Sequence, residues 1–334
     1  MVLTLSLAGC RHPERTIDAS FYYWRPEFAL TAGERGLLDS LRCTKLYVKF
    51  FDVDRDKVSG RPHPVAQIHF IDSSYRDREI VPVVYITTAA IASVRGSSAE
   101  ALADSIGQLV NSICQNHAIK YHELQIDCDW AAGSRDRYFR LLAQIRHSLP
   151  AHCILSCTIR LHQVKYKVKT GIPPVDRGML MYYNMGKPDD IKEQNSIYDP
   201  ANAGRYASYA KDYPLPLDVA LPVFSWGVLF RDGRAKELLD GFDKKALDEV
   251  RHVRKRDAIW YEVDSSFYIR GKYLKARDLI RIEEISPYIC REAAGQLSPY
   301  LKTQHFTLTF FDLSPQTTTR YETRDFQEIL DILR

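Results

Sequence analysis

An α/β fold, a (β/α)8 TIM barrel with an insertion between its seventh and eighth strands, is predicted by three features of the sequence. Eight runs rich in β-branched and aromatic residues recur along the chain. A helical pattern or an irregular stretch follows each, as the crossover between parallel strands requires. The length of 334 residues suits one such barrel, typically about 250 residues, enlarged by insertions.

The elements follow in order. Ser20–Arg25 (SFYYWR) is the first strand, and a helix over Thr31–Leu41 starts with Thr31 placed as its N-cap. Lys45–Phe51 (KLYVKFF) and Ile80–Thr87 (IVPVVYIT) are the second and third strands. A long amphipathic helix, Ser98–Asn116, comes next, with Ser97 and Glu100 spaced as a variant capping box. His122–Asp127 (HELQID) is the fourth strand, followed by a helix over Ser134–Ser148. Cys153–Leu161 (CILSCTIRL) and Gly178–Tyr183 (GMLMYY) are the fifth and sixth. A turn-rich loop, Gly186–Pro200, leads to a short helix near Tyr206, and Leu217–Phe224 (LDVALPVF) is the seventh strand. The excursion before the eighth, His305–Phe311 (HFTLTFF), places the insertion at about 230–285, with a strand-like segment over Ser265–Tyr273 and a helix over Pro287–Pro299. Thr323–Leu333 closes the chain as an amphipathic helix. A doubly wound sheet is the alternative, disfavoured because no Gly-rich phosphate loop follows any strand.

Composition narrows the function classes. The 46 basic and 42 acidic residues leave a formal charge of +4, without the basic excess expected of a nucleic-acid binder. Hydrophobic content of 45% with 26% charged residues excludes a disordered or fibrous chain. No apolar run reaches the roughly 20 residues of a membrane-spanning helix.

The segment 1–10, MVLTLSLAGC, is apolar and ends in small residues before the polar run Arg11–Arg15, the outline of a secretory signal. Leu7-Ala8-Gly9-Cys10 resembles the lipobox of bacterial lipoproteins. The resemblance implies that Cys10 becomes an acylated first residue, that residues 11–334 form the mature barrel, and that the protein is lipid-anchored to a membrane of the bacterial cell envelope, periplasmic or surface-facing. Six further cysteines remain. Cys114, Cys128 and Cys157 lie among apolar neighbours, as small buried hydrophobes do, so free buried thiols are expected. No CxxC pair or Cys/His spacing indicates zinc, and neither a metal nor a cofactor is expected.

Active sites of such barrels lie at the C-terminal strand ends. Side chains alternate along a strand, so Gln125, Asp127 and Asp129 share one face of the fourth strand while Leu124, Ile126 and Cys128 share the other. The apolar set faces the helices, and the polar set lines the barrel. On the fifth strand Ser156, Thr158, Arg160 and His162 share a face, with Arg160 the counter-charge for two carboxylates that otherwise repel. A polar interior is costly without a purpose. Other strand-end carboxylates are Glu27, Asp52, Asp54 and Asp312, each of which a helix cap or solvent also explains. Trp24, Tyr22, Tyr183 and Trp226 suit stacking on sugar rings, although most tyrosines in a barrel fill core. The basic run Arg251–Arg256 reads as the solvated face of a helix, with contact to phosphate or lipid headgroups as the alternative, and His162 as a general base or a structural histidine.

Ile126-Asp127-Cys128-Asp129-Trp130 resembles the fourth-strand motif of family 18 glycoside hydrolases, the chitinase-like barrels, which runs Asp-x-Asp-x-Glu with an aromatic before the Glu. Met181-Tyr182-Tyr183-Asn184 resembles that family's sixth-strand segment, whose Tyr and Asp/Asn position an N-acetyl group. Matching Asp127 and Asp129 to the two Asp residues puts Ala131 at the acid Glu. Sliding the match by two residues puts Asp129 there and Gln125 at the first Asp, and Trp130 loses its counterpart. The resemblance implies a glycoside hydrolase-like protein acting on a glycan, with Asp127 and Asp129 catalytic and Trp24, Gln125, Arg160, His162, Tyr183, Asn184 and Trp226 contacting substrate. Because Ala131 cannot donate a proton, a non-catalytic glycan-binding or scaffold protein is the alternative. The expected partners are a glycan and, through the anchor, a membrane.

Overall fold

A computed structural model describes residues 15–96 and 98–334. The expected lipidation at Cys10 and the expected cap at Ser97 lie outside the described residues. Eight parallel strands form the barrel: β1 (Thr16–Tyr23), β2 (Lys45–Arg55), β3 (Glu79–Ile86), β4 (Glu123–Cys128), β5 (Ile154–Arg160), β6 (Arg177–Met181), β7 (Leu217–Pro222) and β8 (His305–Phe311). Each pairs with the next in the chain, and β1 pairs with both β8 and β2, which closes the cylinder. All eight predicted strands are present, with shifted ends. β2 runs on to Arg55 because its tip pairs antiparallel with Pro62–Val65.

The principal helices are α1 (Ala32–Ser40), α2 (Ser98–Asn116), α3 (Arg135–Ser148), α4 (Pro200–Ala207), α5 (Pro287–Leu297) and α6 (Thr323–Leu333). Thr31 caps α1 as expected, in a capping box completed by Glu34. Among the described residues, no helix is long and apolar enough to cross a membrane. Cys43, Cys114, Cys128, Cys153, Cys157 and Cys290 are buried free thiols.

Closure of the barrel rests on an aromatic cluster. The rings of Phe21 on β1 and Phe310 on β8 lie 5.2 Å apart, and both pack on Phe326 of α6, at 5.3 and 4.8 Å. The burial of all three ties first strand, last strand and last helix together. Phe310→Ala is expected to cost about 3–5 kcal/mol, read as a lowered urea midpoint with an unchanged slope. A loss under about 1 kcal/mol, the range of a tolerated core swap, would contradict this role.

Between β7 and β8 the insertion builds an antiparallel sheet in the order Arg234–Asp240, Ser225–Arg231, Leu279–Glu284, Trp260–Val263, Val253–Lys255. It has its own small core, including Leu229, Leu239, Tyr261 and Ile280. Two expectations are corrected here. The basic run 251–256 is not a helix face: Val253–Lys255 is an edge strand against Trp260–Val263, and Arg254 reaches across to Glu262 and Asp264. Cross-strand ion pairs of this kind stabilise strand over helix. Ser265–Tyr273 is not one strand but part of a hairpin, Phe267–Ile269 against Lys272–Leu274. The chain reverses at Arg270 and Gly271, both with positive φ.

Candidate active site at the barrel mouth

The site begins with the register of β4 against β5. Gln125 lies opposite Ser156, so successive inward side chains of the two strands meet in rungs from floor to mouth. At the floor Ser156 Oγ donates to Glu123 Oε1 at 2.6 Å. Above it, Gln125 accepts from the Tyr22 hydroxyl and donates to Ser156 at 3.4 Å. Higher still, Thr158 Oγ1 donates to Asp127 Oδ1 at 2.6 Å. At the rim Arg160 Nε is bonded to Asp129, and Arg160 Nη2 stands 3.6 Å from Asp127. The opposite face of β4 packs on the helices, where the Tyr138 hydroxyl of α3 meets the Ile126 carbonyl oxygen.

Electrostatics separates the two carboxylates. Asp127 is 3% exposed. Burial raises its pKa above the ordinary aspartate value, Arg160 pulls it down, Asp129 raises it further and Thr158 lowers it. Asp129 stands half open at the rim, in the ion pair with Arg160. The predicted counter-charge is therefore in place. The two carboxyls do not share one environment.

Around this pair lies a cavity of about 610 Å³. Trp24 stands just past β1, its ring 5.4 Å from Phe311 and 6.3 Å from Tyr85, with Lys49 Nζ 5.4 Å from its centroid. Tyr183, just past β6, packs on Phe311 and Phe224. The alternation turns its neighbour Tyr182 outward to Gln296. Asn184 follows with φ +56°, a left-handed conformation that asparagine tolerates better than most residues, and its N–H donates to the Ile197 carbonyl at 2.7 Å. Trp226, on the first strand of the insertion, donates its indole N–H to Glu283 Oε2 at 2.9 Å.

Asp127, Asp129, Trp24, Arg160, Tyr183, Asn184 and Trp226 thus line one cavity. Gln125 does not; it is fully buried in the rung below. His162 leaves the face it was expected to share with Arg160. The Gln163 side chain accepts from the Arg160 N–H at 2.7 Å and starts a helix at Leu161, which breaks the strand alternation. His162 is exposed and lines an adjoining cavity of about 340 Å³, whose walls include Asp129, Tyr183 and Tyr206.

Of the four other strand-end carboxylates, only Asp312 reaches the cavity. Glu27 sits in a two-residue strand paired with His69–Phe70, Asp52 pairs with Lys49 at 3.0 Å, and Asp54 accepts from Thr87 at 2.7 Å. Burial pushes Asp312 up to about 6, against the pull of Arg25 and Arg320. Burial, with help from Asp127 and Asp129, pushes the Tyr85 hydroxyl up to about 12. The sequence reading missed Arg25, Tyr85, Phe311, Asp240 and Arg320 as cavity walls. Tyr85 and Phe311 end or nearly end their strands, and the strand-end rule applied to aromatics finds them. Asp240 comes from the insertion hairpin, where no local pattern marks it. Among the described residues no cluster of three or more His, Cys, Asp or Glu is arranged to hold a metal.

Trp130 and Ala131 settle how the β4 segment sits. Trp130 is fully buried, its indole N–H bonded to the Thr170 carbonyl at 3.0 Å and its ring stacked on Tyr138. Ala131 opens the turn into α3, accepting from the Arg135 N–H at 2.9 Å. It does not line the cavity. The inward positions of this segment are therefore 123, 125, 127 and 129, and Ala131 is not among them.

No protein-family model matches the sequence, and no curated protein matches it. Solved structures are similar in fold. The spore cortex-lytic enzyme SleL of Bacillus cereus is 12% identical with a TM-score of 0.57, over 96% of this chain and 75% of that one. A chitinase from Chromobacterium violaceum is 12% identical with a TM-score of 0.54, over 94% and 99%. A GH18 chitinase mutant from Cycas revoluta in complex with (GlcNAc)4 is 11% identical with a TM-score of 0.50, over 94% and 98%. At these identities the likeness is one of fold.

Proposed function

We propose that the chain is a glycoside hydrolase-like protein that takes a glycan at the C-terminal mouth of its barrel and cleaves it there. The observation that carries this reading is the meeting, in one cavity, of the Asp127–Asp129–Arg160 cluster with aromatic walls from β1, β6, β8 and the insertion. Sugar rings present apolar C–H faces to aromatics and hydroxyls to carboxylates, and this cavity offers both kinds of surface.

Hydrolysis needs two carboxyls in different protonation states. Asp312 holds a proton up to about pH 6 and donates it to the bridging oxygen as the bond from that oxygen to the anomeric carbon breaks. Asp129, as the carboxylate paired with Arg160, stabilises the positive charge that develops on the sugar ring. It also takes a proton from the water whose oxygen bonds the anomeric carbon. Asp127 tunes Asp129 from below, and Tyr183 and Asn184 orient the sugar.

Calorimetry against a panel of glycans, with chito-oligosaccharides first because a similar barrel is known with (GlcNAc)4, tests binding; product analysis tests cleavage. Binding with new reducing ends is the expected result. Failure of every glycan to bind overturns the reading. Binding without products supports the second reading, a non-catalytic glycan-binding protein, which the ion pair holding Asp129 favours, whereas a scaffold protein is what failure of every glycan to bind would favour.

We also propose that Cys10 carries a lipid anchor to the bacterial envelope. Cys10→Ser is expected to move the protein from the membrane fraction to the soluble fraction. Continued membrane association would reject the anchor.

A further inference from the structure

The insertion supplies more than one wall of the cavity. Arg281 and Glu283, on its strand Leu279–Glu284, form an ion pair whose side chains are both 0% exposed. Arg281 Nε and Nη2 reach Glu283 Oε1 at 2.8 and 2.7 Å. A buried pair of this kind is costly unless its remaining hydrogen-bonding positions are filled, and here they are filled in a particular way. Glu283 Oε2 accepts from three donors: the Ser196 N–H at 2.7 Å, the Ser196 hydroxyl at 2.6 Å, and the Trp226 indole N–H at 2.9 Å. Arg281 in turn donates to the carbonyls of Asp190 and Pro188, at 2.6 and 2.8 Å.

Pro188, Asp190 and Ser196 belong to the loop that follows Asn184. That loop also returns to the site, because the Ser196 carbonyl accepts from Gly186 N–H at 3.0 Å and the Ile197 carbonyl accepts from Asn184 N–H. A single carboxylate therefore fixes both the plane of the Trp226 ring and the loop behind Asn184. The Trp226 ring has a cavity face and an anchored edge; nothing else hydrogen-bonds its N–H among the described residues.

We infer that Glu283 is a positioning residue that sets Trp226 and the Asn184 loop as one unit, and so determines which glycan the mouth accepts; this rests on the glycan reading above. Glu283 does not itself line the cavity, so its loss should act on affinity rather than on the bond-breaking step. Glu283→Gln keeps the size of the side chain but replaces one acceptor oxygen with a donor, which cannot satisfy Arg281, Ser196 and Trp226 together.

The test uses the full chain in two measurements. First, the emission of Trp226 is taken as the difference between each protein and its Trp226→Phe counterpart. In E283Q it is expected to shift to the red and to be quenched by acrylamide at least twofold more readily. Unchanged emission and quenching overturn the inference. Second, affinity for (GlcNAc)4 is expected to fall about tenfold in E283Q with kcat within twofold. Because the two residues act together, E283Q in the W226F background should add less than twofold further loss. Full additivity, or a fall in kcat with affinity intact, overturns it. If the parent chain binds no (GlcNAc)4, the affinity measurement uses the glycan that the calorimetric panel identifies; if it binds no glycan at all, the glycan reading is what fails, and the emission measurement still decides the clamp. If E283Q is unfolded by circular dichroism, Ser196→Ala, which removes one donor and leaves the ion pair whole, takes its place in the emission measurement with the same expected direction and the same overturning result.

Discussion

Replacing Asp129 by Asn is expected to abolish glycan cleavage while leaving glycan affinity within about threefold. The size of the expected loss, a factor of about 10²–10⁴ in kcat, is that of removing one positioned proton-transfer group. The reason for the split between affinity and rate lies in the rung that holds the residue. Asn keeps the shape and the oxygen that accepts from Arg160 Nε, so the wall of the cavity is preserved. It lacks the negative charge that the developing oxocarbenium-like centre requires, and that need arises in the transition state rather than in the bound ground state. Asp127 does not substitute for it, because it is 3% exposed and lies beneath Arg160. Steady-state kinetics on the glycan that calorimetry identifies, alongside calorimetry on the variant, makes the measurement. Turnover equal to the parent's would remove Asp129 from the mechanism. A joint loss of affinity and turnover would make it a binding group.

Asp312→Asn is expected to act in two directions at once. Cleavage should fall by a factor of about 10²–10⁴ because the proton donor is gone. Stability at pH 8 should rise. The sign follows from linkage: burial holds the Asp312 carboxyl at about 6 in the folded chain, above the roughly 3.9 of an unfolded aspartate. The folded state therefore keeps its proton longer, and stability is lost as pH rises from the unfolded value through the folded one. A shift of this size corresponds to roughly 2–3 kcal/mol of burden on the ionised form above pH 6, and the neutral Asn does not carry it. Urea titrations of parent and variant at pH 4 and pH 8 should converge at the lower pH and diverge at the higher. Asp218, held at about 6 by burial against the pull of Arg177, contributes its own slope, so the variant's profile flattens only in part. In the parent, cleavage itself should decline above pH 6 as the donor ionises. A variant less stable than the parent at pH 8, or cleavage that rises through pH 6, would remove Asp312 from the role of acid.

How far the sequence disclosed this site depends on the kind of signal each residue carried. β4 was legible because strict alternation separates Leu124, Ile126 and Cys128 from Gln125, Asp127 and Asp129, and the structure keeps that division. Arg160 was legible for the same reason on β5. His162 was not, since the alternation that grouped it with Arg160 ends where Gln163 captures the Arg160 N–H; a side chain binding backbone three residues back is a local capping event that periodicity does not register. The strand-end carboxylates looked alike in sequence. Their fates were decided by tertiary neighbours, Lys49 for Asp52 and Thr87 for Asp54, while Asp312 alone was left facing the cavity. The insertion was located but misread inside. The run at Arg251–Arg256 has charges on nearly every residue, so its pattern does not distinguish a solvated helix from an exposed edge strand, and only pairing with Trp260–Val263 decides. Trp130, although it stands next to Asp129, is a core residue stacked on Tyr138.

The most direct measurement is a crystal structure of the chain with the oligosaccharide that calorimetry identifies soaked to saturation. Sugar rings lying between Trp24 and Trp226, with hydroxyls or acetamido groups within about 3 Å of Asp129 and Asn184, are the predicted result. An oligosaccharide seated elsewhere on the molecule, with the space above Asp127 and Arg160 free of sugar, would contradict it.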